Sequence, residues 1–195
     1  MLRRLALGLA LVMVLGSCGD DGGSASSTTA DEPFPPDTIA ELAEIFDPQL
    51  EPMGLRFTRG ALIDRTDGGY VPSPEGEHLA LYVEPLDGVD YDTADYVDGL
   101  GTVTALVTPY VFERWSGVET YDICQEPPPE IDDSDAPVPY TQIEIDRQAA
   151  DAVDWDTATT ATVIELGRDA DLRLVVTPVV REDPAYQAAT EASLD

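Results

Sequence analysis

Asp87-Gly88-Val89-Asp90-Tyr91-Asp92-Thr93-Ala94 recurs later in the chain as Asp151-Ala152-Val153-Asp154-Trp155-Asp156-Thr157-Ala158. Six of the eight positions are identical, and a seventh exchanges one aromatic ring for another. In the same register, Leu79 and Leu81 precede the first copy as Ile143 and Ile145 precede the second. Apolar residues at period two read as strands. After the first copy, Val97, Leu100, Thr104 and Val107 fall at helical spacing, and after the second a helix is expected over Thr157–Arg168. Asp92 and Asp156 would each accept hydrogen bonds from the free N–H groups of the following helix, at the positive end of its dipole. Tyr91 and Trp155, one residue earlier, would pack onto that helix. Each unit therefore reads strand, acidic-aromatic turn, helix. A further strand follows each copy, at Val118–Cys124 and Leu172–Val176.

From residue 78 onward the order is βαββαβ. That order resembles the split pattern of ferredoxin-like domains, in element order alone. The resemblance implies a first strand flanked on both sides. Upstream, Thr38-Ile39-Ala40-Glu41 fits a capping box, with Ile39, Leu42, Ala43 and Phe46 on one helical face and Asp47-Pro48 as the stop. A strand is expected over 55–65. It must pair at an edge, or the sheet has another order. Asp67-Gly68-Gly69, Pro72 to Gly76 and Pro127 to Asp135 read as loops. Thr108-Pro109 reads as the start of a new helical turn, and Asp183-Pro184 as the start of a last helix. The expected fold class is a single α+β domain over 37–195, with a mainly antiparallel sheet of about five strands. Its core would be the ferredoxin-like segment 78–178, with an N-terminal helix and strand added.

The first eighteen residues concern address. Arg3 and Arg4 precede an uncharged apolar run, Leu5 to Leu15, and Leu15-Gly16-Ser17-Cys18 closes it. This is the layout of an export signal, too short for a stable membrane span. The last four residues resemble the lipobox of bacterial lipoprotein precursors. The resemblance implies diacylglyceryl transfer to Cys18, cleavage before it and acylation of the new amino terminus. Residues 1–17 would then be a signal peptide. The partner implied is the lipid bilayer, held through the acyl chains of Cys18 on the extracytoplasmic face. Residues 18–36, small, acidic and Pro-rich, are expected as a disordered tether with an end-to-end distance of about 20–25 Å.

The chain has 10 basic residues, all Arg, against 39 acidic ones, for a net charge of −29. The absence of Lys and Asn points to GC-rich coding. So acidic a chain repels nucleic acid, which excludes that partner class. Lipidation would consume Cys18 and leave Cys124 alone, so no internal disulfide is expected.

Little in the domain declares chemistry. His78 and Cys124 could form a thiolate–imidazole pair. Against that, Cys124 lies in an apolar strand, where a lone Cys is usually inert, and His78 follows a Pro/Gly loop, where exposure is expected. Asp87, Asp90, Asp92 and Asp95 are weak candidates for calcium, as are the looser Glu130, Asp132, Asp133 and Asp135. Neither cluster has calcium-loop spacing, so no metal is assigned. No Gly-rich phosphate loop, G-x-S-x-G or H-E-x-x-H occurs, and no cofactor or catalytic residue is expected. Tyr91, Trp115, Tyr121 and Trp155 remain as candidate ligand contacts, in a pocket or on a protein-contact face. The sequence therefore favours a non-enzymatic ligand- or partner-binding, envelope-associated lipoprotein. The rival is an extracytoplasmic hydrolase using paired carboxylates, with calcium as a possible aid.

Overall fold

A computed structural model describes residues 32–66, 69–129, 139–170 and 172–194. The expected signal segment, Cys18, most of the expected tether and the acidic stretch 130–138 lie outside them. The elements in chain order are α1 (Ile39–Leu50), β1 (Leu55–Thr66), β2 (Gly69–Pro72), β3 (His78–Pro85), α2 (Thr93–Arg114), β4 (Thr120–Gln125), β5 (Thr141–Asp146), α3 (Arg147–Asp151), α4 (Thr160–Asp169), β6 (Leu174–Val176), α5 (Pro178–Arg181) and α6 (Pro184–Ala192). They form a single α+β domain around one open, six-stranded, mostly antiparallel sheet of order β2-β1-β3-β4-β5-β6.

The one parallel pair is β3 with β4, and α2 makes the crossover between them. Every other pair is antiparallel. The βαββαβ element order from residue 78 holds, but the ferredoxin-like sheet does not form. β1 pairs along the whole length of β3, from Leu55 opposite Pro85 to Ile63 opposite His78. That hairpin occupies one hydrogen-bonding edge of β3, and β4 occupies the other. β6 has no place beside β3 and pairs with β5 instead. The sixth strand, β2, folds within the region expected as loop and pairs Gly69–Pro72 with Ile63–Thr66.

Strand alternation divides the sheet into two faces. Leu55 and Phe57 of β1, Leu79, Leu81 and Val83 of β3, Tyr121 and Ile123 of β4, and Ile143 and Ile145 of β5 are buried on the inner face. The helices cover that face with Leu42, Phe46 and Leu50 of α1, Val97, Leu100, Val103, Val107 and Val111 of α2, and Val163 and Ile164 of α4. α1 begins on Thr38 as expected, but only half of the capping box forms: the Thr38 hydroxyl accepts from the Glu41 N–H, and the Glu41 carboxylate takes that hydroxyl instead of the Thr38 N–H. It runs past Pro48 to Leu50, because Leu50 is wholly buried and Pro48 faces solvent. Ile39, expected on the packed face, is 53% exposed. α2 likewise continues through Pro109 as one 22-residue helix, roughly 33 Å long. Arg147 donates to the carbonyls of Phe112, Trp115 and Val118, closing the C-terminal end of α2. α4 lies close against α2: a Cβ at Gly101 would fall 2.5 Å from the Thr160 nitrogen.

The repeat is not a structural repeat. Asp92 caps α2 in a full capping box with Asp95. In the second copy Asp151 ends an additional helix, α3, and the next helix starts three residues later than expected, capped by Thr159. The cause lies one strand earlier. Asp146 ends β5 and caps α3 through the Ala149 N–H, so the chain turns helical where β3 continues as strand. Tyr91 packs edge-on against Tyr96 of α2, whereas Trp155 reaches back and donates to the Ala150 carbonyl of α3.

The expected tether also ends sooner. Ser116 donates to the Glu32 carbonyl and Gly117 to that of Pro33, so residues 32–36 already lie along the end of α2. Among the described residues, no helix is long and apolar enough to cross a membrane.

Candidate functional site on the outer face of the sheet

The outer face carries the residues that alternate with the core. They are Arg56 and, after a bulge at Thr58, Arg59, Ala61 and Ile63 of β1. From β3 come His78, Ala80, Tyr82 and Glu84; from β4, Thr120, Asp122 and Cys124; from β5, Gln142 and Glu144. One rung of the sheet brings Ala61, Ala80, Asp122 and Glu144 side by side, and the Glu144 N–H donates to the Arg173 carbonyl at its end. Eight of the 10 arginines lie beyond Arg4, in a chain with 39 acids. Four of them (Arg56, Arg59, Arg65 and Arg173) belong to this face.

A cavity of about 250 Å³ sits over that rung, with Ala80 as part of its floor. His78, Tyr82, Asp122, Cys124 and Gln142 contribute to its lining, and Arg59 and Arg173 are its cations. The expectation for His78 is corrected: it is 2% exposed, because β1 and β4 flank it on both sides. Its Nδ1 lies 3.0 Å from Arg65 Nη2 and 2.7 Å from the Thr120 hydroxyl. A guanidinium only donates, so Nδ1 is the acceptor and Nε2–H donates to Asp122 Oδ2 at 3.3 Å. Gln142 Nε2 donates to the same Asp122 oxygen at 2.9 Å. The other oxygen, Asp122 Oδ1, is buried and has no hydrogen-bond partner among the described residues. A buried carboxylate oxygen left without a donor is costly, and calls for an explanation. Beside it, Arg65 forms an ion pair with Glu144, and Arg59 pairs with Glu126 while lying 4.0 Å over the Tyr82 ring.

His78 and Cys124 line the same cavity but do not form a pair. They lie two rungs apart on adjacent strands, with Ala80 and Asp122 between, a separation of roughly 13 Å along the strands. Burial pushes the Cys124 thiol well above its usual range, and the neighbouring Asp122 adds to that; Arg173 opposes it. At neutral pH the group is a thiol, and not a nucleophile.

The aromatic candidates lie elsewhere. Trp115 and Tyr121 are wholly buried in the helical core, Trp115 edge-on to Phe46 and Tyr110, and Tyr121 bonded through its hydroxyl to Thr108. Tyr91 reaches the Asp95 carbonyl and Gln125, and Trp155 is bound to α3. None of the four lines the outer-face cavity. Of the acidic cluster, Asp92 and Asp95 are used in the cap of α2 and Asp87 bonds to Arg56. Among the described residues, no three His, Cys, Asp or Glu side chains are placed to hold a metal ion.

A larger groove, of about 690 Å³, lies between α3 and α4 with Asp146, Asp154, Glu165 and Asp169 along it. Asp146 is spent on capping, and no residue of that groove has a buried polar side-chain atom without a partner. The smaller cavity is lined by the buried carboxylate residue Asp122, fixed by His78 and Gln142, and by two arginines, so it is the candidate site. Asp122, Gln142, Tyr82 and Arg173 had escaped the sequence reading. Their signal was the polar residue at every second position of strands that read as apolar. Compared with family models, curated proteins and solved structures, the chain matches none.

Proposed function

We propose that this protein is an extracytoplasmic lipoprotein, anchored in the membrane through Cys18, whose domain binds a small ligand in the outer-face cavity without transforming it. The observation that carries the reading is the state of Asp122. It lines the cavity, held on one oxygen by His78 and Gln142, while its other oxygen is buried without a hydrogen-bond partner among the described residues. A fixed acceptor in a small polar cavity is what recognition needs. The leader and the Leu15-Gly16-Ser17-Cys18 resemblance support the anchor.

The hydrolase alternative has one observation in its favour: Asp122 and Glu144 are cross-strand partners on the same face. Paired carboxylates of that kind serve hydrolysis when one is free to act as an acid and the other as a base. Here Arg65 holds Glu144 in an ion pair and Glu144 does not line the cavity, which favours binding.

Two experiments test the reading. Cys18→Ala should leave an unprocessed precursor or release the protein from the membrane; normal processing and retention would end the lipoprotein assignment. Ala80→Leu places a larger side chain in the cavity floor. A thermal-shift screen of a mixed small-molecule library against the full-length protein should give hits that this variant loses. Hits that persist unchanged in Ala80→Leu would remove the cavity from the reading.

A further inference from the structure

The groove between α3 and α4 shares no lining residue with the outer-face cavity, and at about 690 Å³ it is the larger of the two. α4 turns Val163 and Ile164 to the core, and Thr162, Glu165, Leu166 and Asp169 to the groove. Those four stand at i, i+3, i+4 and i+7, on one face of the helix. The other wall is α3 and the turn after it, which contribute Ala149, Ala152 and Val153. The lining is thus largely small and apolar, with Leu166 half-buried on the α4 side. Every charged residue in it is acidic: Asp146 and Asp154 on the α3 side, Glu165 and Asp169 on α4. Asp154 and Glu165 are exposed and form no ion pair among the described residues, and Asp169 meets its chain neighbour Arg168 at 3.5 Å. The stretches outside the described residues contain no basic residue other than Arg3 and Arg4, both in the expected signal segment, so they hold no basic segment to lie on these walls. A second copy brings the same net charge of −29, and an anionic bilayer surface is repelled in the same way.

We infer that this groove docks a basic amphipathic helix of a partner protein, with the helix's apolar stripe on Ala149, Ala152, Val153 and Leu166 and its Lys or Arg side chains against the carboxylates of both walls. The inference does not rest on the ligand reading of the outer-face cavity. The physical argument is charge complementarity around an apolar groove. An apolar segment would cover the lining but take water from Asp154 and Glu165 without giving them partners, which is costly. A purely cationic segment would meet the carboxylates and leave the apolar lining wet. A helix with an apolar stripe between basic flanks meets both needs. Glu165 and Asp169 are one turn apart, about 6 Å along the axis. Cations at i and i+4 on the docked helix stand at the same spacing. The acidic chain as a whole adds long-range attraction, which steers such a partner in and weakens with salt.

The test is fluorescence anisotropy of a labelled leucine–lysine peptide, patterned as an amphipathic helix, titrated with the full-length protein in non-ionic detergent, with micelles alone as the blank. The peptide should bind above the blank, and a serine–lysine peptide of equal charge should bind about tenfold more weakly. Glu165→Gln combined with Asp169→Asn should weaken the leucine–lysine peptide about tenfold. Asp90→Asn combined with Asp98→Asn removes the same charge from exposed positions outside the groove. That pair should change binding by less than about twofold. All four positions are exposed, and thermal unfolding of both double variants should match the wild type. Equal losses in the two double variants would reduce the effect to general attraction by an acidic chain and overturn the groove. Equal binding of the serine–lysine peptide would overturn the amphipathic helix. Displacement of the leucine–lysine peptide by spermidine at an equal concentration would overturn it in favour of a small polycation. No binding above the micelle blank would end the inference outright.

Discussion

Cys124 and His78 show how much a residue's chemistry depends on which strands lie beside it. Cys124 is 1% exposed at the centre of the sheet, and burial holds its proton on. A thiol reagent should therefore modify the native protein slowly and the urea-unfolded protein fast. Rapid modification of the native state would show that the thiol is open and ionised. Asp183 illustrates the opposite direction. Its carboxylate accepts from the Thr93 hydroxyl at 2.6 Å and from the Ala185 N–H at 2.8 Å, and these bonds lower its pKa, the first most of all. A folded-state pKa below the unfolded one means that the stabilisation is present above the unfolded value, about 3.9. It is lost as pH falls through the lower folded value. The urea midpoint of the wild-type protein should exceed that of Asp183→Ala at neutral pH, and the difference should shrink as the solution is acidified below pH ~4. A difference that grew on acidification would reverse the assignment.

At the scale of elements, the two copies of the acidic-aromatic octapeptide separate local signal from local outcome. The first copy behaves as its chemistry demands, with Asp92 capping α2. The second has the same residues and a different start, since α4 is capped by Thr159. Asp92→Ala should cost about 1 kcal/mol, and Thr159→Ala a similar amount. Asp156→Ala, which removes no capping bond among the described residues, should stay within about 0.5 kcal/mol. Chemical denaturation of the three variants checks this. Equal losses at Asp92 and Asp156 would restore the repeat as a structural unit. The same contrast explains the two prolines inside helices. Pro48 and Pro109 remove one N–H each, but Leu50 and Val111, each 0% exposed beyond them, hold the helices in place by burial.

For the whole molecule, the sheet is the framework on which both faces depend. Ile143 is 0% exposed on β5, with Gly167 of α4 and Leu174 of β6 closing around it. Ile143→Ala should cost about 2–5 kcal/mol, the range for a buried large-to-small change, read as a lower denaturation midpoint with an unchanged slope. A loss under about 1 kcal/mol would mean that β5 and β6 are peripheral to stability. The same strand carries Gln142 and Glu144 to the outer face, so the core that holds the sheet also sets the cavity.

By itself the sequence determined the βαββαβ order from residue 78, the inward faces of the strands and three helix starts, after Thr38, Asp92 and Asp183. Thr38 and Asp92, the alternation of Leu79, Leu81 and Val83, and the buried thiol of Cys124 all depend on neighbours two to four residues apart, which a linear pattern records. The strand order came only with the tertiary structure, and with it the site. β1 took one edge of β3 and β4 the other, which sent β6 to β5 and placed Ala80, Asp122, Glu144 and Arg173 on one rung. Each strand has two hydrogen-bonding edges, and which partners occupy them is settled by competition among segments far apart in the chain. His78 is buried and Asp122 is left one oxygen short as a result of that competition, and no spacing along the chain encodes it.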